Sequence, residues 1–163
     1  MAVNSKAGKK APDFQIKDTE GNDVRLSDFQ GSKNVLVLFF PLAFTGVCSK
    51  EMCYMRDELN FYSDLNVEVL GISVDSFFTL KEFKNARELN FTLLSDFNRE
   101  VSAAYDALHE DFFGMKGVSK RAAFLIDTEG VIRYSEILEN PSDMPDFDAV
   151  KETVARLVVP AVK

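Results

Sequence analysis

The chain reads as an α/β layered domain, a central sheet covered by helices, and three observations predict it. Apolar runs of strand character alternate along the sequence with stripes of helical period. One run, Val35–Phe40, is continuous, β-branched and aromatic, as a strand covered on both faces must be. The 163 residues, 46% apolar and 28% charged, suit one domain whose core can fold without disulfides.

The elements follow in order. Residues 1–10 are polar and are expected to fray. Phe14 and Ile16, then Val24 and Leu26, flank the turn-rich Thr19-Glu20-Gly21-Asn22 and predict an N-terminal β-hairpin. Val35–Phe40 is the central strand, and Pro41 ends it. Cys48, Met52, Met55, Leu59 and Tyr62 fall at steps of four and three, one stripe of a helix. Val67–Val74 is the next strand, and Asp75 or Ser76 caps a helix running from Phe77 to about Glu88. Phe91–Leu94 predicts a short strand, Val101–Leu108 a short helix, and Gly114 and Gly117 a loop. Arg121–Ile126 and Val131–Tyr134 flank Asp127-Thr128-Glu129-Gly130 as a second hairpin. Asp146 caps a last helix whose Phe147, Val150, Val154, Leu157 and Val158 share a face.

Composition excludes several functions. Acidic residues outnumber basic ones, 26 to 19, for a net charge of −7, which argues against a nucleic-acid surface. The longest apolar run, Val35–Phe44, contains Pro41 and falls short of the ~20 residues of a membrane span. Two cysteines and one histidine, without C-x-x-C, argue against zinc and against a disulfide scaffold. Met1–Lys10 lacks the apolar segment of a signal peptide, so the expected compartment is the reducing cytosol.

In open α/β sheets, sites lie beyond the carboxyl ends of the strands. Val35–Phe40 delivers the chain into Pro41-Leu-Ala-Phe-Thr45-Gly-Val-Cys48, so chemistry is expected there. Cys48 falls in the first turn of a helix, where unpaired N–H groups and the helix dipole favour an anion and lower a thiol's pKa. Thr45 can place a hydroxyl near the sulfur, and Pro41 can wall the pocket without offering a donor. The plainer alternative for Cys48 is a small buried hydrophobe at the foot of an apolar stripe.

Pro41-x-x-x-Thr45-x-x-Cys48, placed between a central strand and a helix, resembles the signature of the peroxiredoxins, thiol peroxidases with a thioredoxin-like fold. Ala11-Pro12-Asp13-Phe14 resembles the family's opening strand, and Arg121-Ala-Ala-Phe124-Leu-Ile-Asp127 its arginine-bearing strand. The resemblance covers nearly the whole chain. It implies a central mixed sheet flanked by helices, with Cys48 as the peroxidatic cysteine, Thr45 as the residue bonding the peroxide, Pro41 as the shield and Arg121 as the active-site arginine. Glu51 matches an acidic residue expected to orient an arginine, and Arg56-Asp57 a pair expected to be structural. The partners implied are a peroxide and thioredoxin or a similar dithiol, with no cofactor and no metal. Monomer and homodimer both fit.

Cys53, five residues after Cys48, resembles the resolving cysteine of the Q-type peroxiredoxins (bacterioferritin comigratory proteins), whereas the loop itself looks more like the AhpE type, some of which work with one cysteine. Five helical residues rise roughly 7.5 Å, which puts the two Cα atoms about 8–9 Å apart, and a disulfide tolerates at most ~7 Å. Resolution by Cys53 therefore requires the helix to unwind, and otherwise Cys53 is a bystander. Lowering a thiol pKa from about 8.5 to ~6 gains at most ~30-fold in thiolate. Donors aimed at the breaking O–O bond must supply more, and Thr45, Arg121 and the N–H groups of Val47 and Cys48 are the candidates.

Three rivals stay open: a dithiol–disulfide oxidoreductase, a redox sensor or holdase switched at Cys48, and a binding module with inert cysteines. His109 is expected in a solvated loop. Of the fifteen phenylalanines, Phe39, Phe40, Phe44, Phe77, Phe78, Phe112 and Phe113 are candidates for a pocket mouth or subunit contact, with Phe112-Phe113 the best exposed apolar patch.

Overall fold

The structure, a computed structural model, describes residues 2–158. Ten strands are present among them: β1 (Ala2–Val3), β2 (Gln15–Asp18), β3 (Asp23–Arg25), β4 (Asn34–Phe39), β5 (Val67–Ser73), β6 (Thr92–Ser95), β7 (Leu108–His109), β8 (Val118–Ser119), β9 (Arg121–Ile126) and β10 (Ile132–Leu138). The helices are α1 (Gly46–Asp64), α2 (Phe77–Ala86), α3 (Glu100–Ala104) and α4 (Phe147–Val158). Eight strands form one mixed sheet in the order β1-β10-β9-β4-β5-β6-β2-β3. β4, β5 and β6 are parallel, and the remaining pairings are antiparallel.

Every residue of β4 is buried because the sheet is covered on both faces. Leu36, Leu38 and Phe40 pack with Met52, Met55, Tyr62, Leu80, Phe83, Val150 and Val154, the layer of α1, α2 and α4. Val35, Val37 and Phe39 face the other way, toward Phe14, Leu26, Val101 and Tyr105. β9 alternates likewise, with Ala123 and Leu125 on the α1 side and Ala122, Phe124 and Ile126 opposite. This period of two puts Arg121 on the α1 side, toward Cys48.

Several expectations need correction. Ala2 and Val3, expected to fray, pair with Ile137 and Glu136, and Gly8 and Ala11 donate to Ile132 and Gly130 carbonyls. Met1 lies outside the described residues. Leu26, expected in a strand, opens a 3-10 turn over Leu26–Phe29 and is buried there. The helix expected to reach Leu108 stops at Ala104, because Asp106 is left-handed (φ 56°) and turns the chain into β7. The Gly114/Gly117 loop is the end of a β7–β8 hairpin. β10 runs four residues beyond Tyr134, to Leu138, after a bulge between Ile132 and Tyr134. Ser76 caps α2 by accepting from the Thr79 N–H at 3.2 Å, and Asp146 caps α4 by accepting from Ala149 at 3.1 Å. Val158 ends α4, but its side chain lies outside the described set. No helix among the described residues is long and apolar enough to cross a membrane.

Gly71 of β5 lets α1 approach the sheet. A Cβ there would meet Leu93 Cδ2 at 2.8 Å, Phe91 Cε2 at 3.4 Å and Met52 Sδ at 3.5 Å. Gly71→Ala is therefore expected to destabilise the fold by about 1–3 kcal/mol through overpacking. Urea unfolding measures this, and an unchanged midpoint would show that Leu93 and Met52 repack freely.

Candidate active site

The site is built where β4 ends. Phe40 N–H still donates to the Ile72 carbonyl (2.9 Å), continuing the ladder to β5. Pro41, buried and without a donor, takes the chain out of the sheet. The loop is then tied down from the neighbouring strand. The Asp75 carboxylate accepts from Ala43 N–H (2.8 Å) and from the Ser73 hydroxyl (2.6 Å), while the Asp75 carbonyl accepts from the Ser95 hydroxyl (2.6 Å). Phe44 is left-handed (φ 66°) and packs edge-on against Phe83 at 5.1 Å, with the Arg87 guanidinium 5.4 Å above its ring. Positive φ at a bulky residue is strained and persists only where its surroundings hold it.

Thr45 is the N-cap of α1, but its side chain accepts no bond from the helix. Its hydroxyl donates to the Leu42 carbonyl at 2.7 Å. The helix ladder starts with Ser49 N–H to the Thr45 carbonyl (2.9 Å). The N–H groups of Gly46, Val47 and Cys48 thus have no place in the ladder and form the positive end of the helix dipole.

Cys48 is the third residue of α1 and is 1% exposed. The expected stripe is present: Met52, Met55 and Tyr62 are buried and Leu59 is half-buried, with Glu51 buried beside them. Arg121, the first residue of β9, meets α1 with its guanidinium. Its Nη1 donates to Glu51 Oε1 at 2.7 Å, and its Nη2 donates to Cys48 Sγ at 3.4 Å and to the Pro141 carbonyl at 3.0 Å. Glu51 and Arg121 are 0% and 1% exposed, and Glu51 Oε2 and Arg121 Nε are buried and unpartnered among the described residues. Burial pushes the Glu51 carboxyl up to about 7 against the pull of Arg121. Burial also opposes the charge on Arg121, but Glu51 and Cys48 outweigh it and its pKa rises. The pair is therefore unequal: the guanidinium is held charged, while the carboxyl is left near neutrality.

The structure thus brings Cys48, Glu51, Arg121, Thr45 and Pro41 to one end of β4. Cys53 is half-buried and free, and α1 runs unbroken through both cysteines. Arg56 binds Asp57 (3.0 Å) and the Arg87 carbonyl (2.6 Å), a structural tie from α1 to the end of α2. His109 lies in β7 rather than in a solvated loop. Its ring packs at a tilt against Phe112, 5.3 Å between centroids, and burial lowers its pKa. Phe39 and Phe40 are core, and Phe113 stands 85% exposed beside Met115 at the hairpin tip. Phe77 and Phe78 line, with Phe97, a cleft of about 530 Å³ beside the start of α2. Sequence reasoning missed Asp75, taken as a helix cap, and the Pro141 carbonyl. The signal for Asp75 was its place at the carboxyl end of the strand beside β4.

The AhpC/TSA family model matches residues 7–135. Alkyl hydroperoxide reductase E of Mycobacterium tuberculosis is 38% identical over 152 residues, covering 92% of this chain and 96% of the relative. A chloroplastic 2-cysteine peroxiredoxin of Chattonella marina var. antiqua is 38% identical over 145 residues, 83% of this chain and 72% of the relative. Among solved structures, the reduced 2-Cys peroxiredoxin of Plasmodium vivax superimposes with a TM-score of 0.83 at 32% identity, over 93% of this chain and 81% of that one. Peroxidoxin BcpB of Mycobacterium tuberculosis gives 0.83 at 28% identity, over 93% and 97%. The matched span runs from before the opening hairpin through the Pro41–Cys48 loop to Arg121 and into β10, and by it the chain belongs to the AhpC/TSA family: it is a peroxiredoxin of thioredoxin-like fold, a thiol peroxidase.

Proposed function

We propose that Cys48 is the peroxidatic residue, that Arg121 and the first-turn N–H groups of α1 are the donors that speed its attack, and that Thr45 holds the peroxide as an acceptor. The observation that carries this reading is the cationic Nη2 of Arg121 donating to Sγ at 3.4 Å in a dry site. The thiolate attacks the nearer peroxide oxygen. An S–O bond forms, the O–O bond breaks, sulfur is oxidised to the sulfenic acid, and the departing oxygen takes a proton to leave as water or an alcohol. Negative charge develops on that oxygen, where Arg121 and the open N–H groups stabilise it. Thr45, whose hydroxyl is spent on Leu42, offers lone pairs to the peroxide O–H. Pro41 closes the sulfur's other side, and Glu51 orients Arg121.

Cys53 then resolves the sulfenic acid as an intramolecular disulfide, with hydroxide leaving, and thioredoxin or a similar dithiol restores both thiols. Such a cycle suits a reducing compartment such as the cytosol. The disulfide needs the first turn of α1 to open. That turn is weakly held: its cap makes no side-chain bond, Gly46 and Lys50 are exposed, and Phe44 before it is strained. Unwinding over residues 46–50 releases Cys48, while the Glu51–Arg121 pair keeps the rest of α1, and Cys53, in place.

Intact mass after one equivalent of peroxide tests this. The wild type is expected to lose the mass of two hydrogens, and Cys53→Ser to gain one oxygen. An oxygen adduct on wild-type Cys48 with Cys53 still free selects the second reading, a one-cysteine peroxidase reduced by an external thiol, which the unbroken α1 favours. No change in either protein removes Cys48 from the reaction.

A further inference from the structure

The layer around Arg121 holds more acid than one guanidinium can balance. Besides Cys48, Glu51 and Arg121 it contains Glu136, 3% exposed, on β10. Glu136 is the register partner of Ala123, two residues from Arg121 on the same strand and face. Such diagonal positions lie about 7–8 Å apart, within reach of long side chains. The groups facing Glu51 are thus Cys48 on its own helix, Arg121 from β9 and Glu136 from β10, the last with the Tyr134 hydroxyl on it. With a thiolate and two carboxylates ionised, three negative charges would gather around the one buried guanidinium, that of Arg121. Buried groups in that position take up a proton instead.

The hydrogen bonds say which one does. Glu136 Oε1 accepts from the Tyr134 hydroxyl and from the Asp146 N–H, both at 2.8 Å. Glu136 also borders a cleft of about 250 Å³ shared with Asn4, Thr153 and Arg156. Two donors and an opening thus meet its carboxylate. Glu51 Oε2 is buried and has no donor among the described residues.

We propose that Glu136 is a positioning residue for peroxide reduction: its buried negative charge adds to the burial that favours a proton on Glu51, and so helps to leave the charge of Arg121 to the Cys48 sulfur and the departing peroxide oxygen. This rests on reading Cys48 as the attacking sulfur. Burial pushing Glu51 up to about 7, with Glu136 adding to the rise against Arg121, is in line with it. When Glu51 ionises, it competes with the sulfur and the departing oxygen for the guanidinium's charge, and the reaction slows.

The test uses the reduced full-length protein, its Glu51→Gln and Glu136→Gln variants, and two readouts over about pH 5–9. Glutamine at 136 keeps an oxygen for Tyr134 and Asp146 and removes only the charge. Difference infrared spectroscopy follows the carbonyl band of a protonated carboxyl. The band is expected to titrate near neutrality in the wild type, to vanish in Glu51→Gln, and to shift its midpoint down by about one pH unit in Glu136→Gln. Single-turnover rates with hydrogen peroxide should show an alkaline limb that moves down with that midpoint, about tenfold in rate near pH 8, and that is absent in Glu51→Gln. Tyr134→Phe, which takes one donor from Glu136, should move both readouts the same way by less. A band and limb unmoved by Glu136→Gln, or a band that survives Glu51→Gln, overturns the proposal. Peroxide reduction surviving in Cys48→Ser would sink the underlying assignment of the sulfur, and the kinetic role of Glu136 with it, whatever the infrared titration shows.

Discussion

Cys48→Ser is expected to lower the rate of peroxide reduction by about 10⁴-fold or more, as loss of a nucleophile does elsewhere. Serine does not ionise near neutral pH, so the Arg121 donor and the open end of α1 are left with no anion to hold. The swap is nearly isosteric at a position 1% exposed, and Arg121 Nη2 can donate to the new hydroxyl, so the fold should hold. Cys53→Ser should behave differently. Cys53 is half-buried and lies past the Glu51–Arg121 anchor, so the first turnover should proceed at the parent rate and only recycling should change. Stopped-flow mixing of pre-reduced protein with hydrogen peroxide separates the two. Equal loss of the first turnover in both variants would mean that the cysteines act together in the attack, against the roles proposed above.

The part of the site carried by β4, the following loop and α1 was legible in the sequence because its signals are local. A continuous apolar run, a proline and a four–three stripe lie within thirty residues, Val35 to Tyr62. Glu51 was half-legible: an acid three residues after Cys48 falls on the buried stripe, where a charge needs a partner. That partner, Arg121, is seventy positions away, and only the resemblance linked the two. Asp75 and Pro141 were not legible, because one acts through its carboxylate on a backbone N–H of another loop and the other through its carbonyl. Glu136 did leave a signal. It alternates with Tyr134 and Leu138 on a strand face that should be apolar, and an acid at such a position marks a buried network. The fold's errors have a similar origin. β1 pairs across more than 130 residues of sequence, and a two-residue edge strand has no pattern to betray it. The β7–β8 hairpin hid behind Gly114 and Gly117 for the same reason: two residues per strand carry no period.

Arg121→Ala is expected to slow peroxide reduction by about 10²–10³-fold, the usual loss of a donor aimed at developing charge. Raising the pH until the sulfur is fully ionised should not restore the rate. Recovery there would mean that Arg121 acts on ionisation alone. The same change should cost about 1–3 kcal/mol of stability, because it leaves the buried Glu51 carboxyl without its hydrogen-bond partner, and the size of that loss should depend on pH. The folded Glu51 carboxyl, at about 7, lies above its ordinary 4.5. The folded chain therefore binds more protons than the unfolded one in this window, and stability falls as pH rises from about 4.5 to about 7. Below the window the carboxyl is neutral in both states, and the missing guanidinium costs only packing and hydrogen bonds. Without Arg121 nothing holds the folded value down, so the window extends upward and the fall continues past neutrality. Chemical denaturation of parent and variant near pH 5 and near pH 8 should show the larger gap at the higher pH. A gap of the same size at both would mean that Glu51 keeps its charge state when its partner is gone, and that Arg121 is held by packing and by Pro141 rather than by the carboxyl.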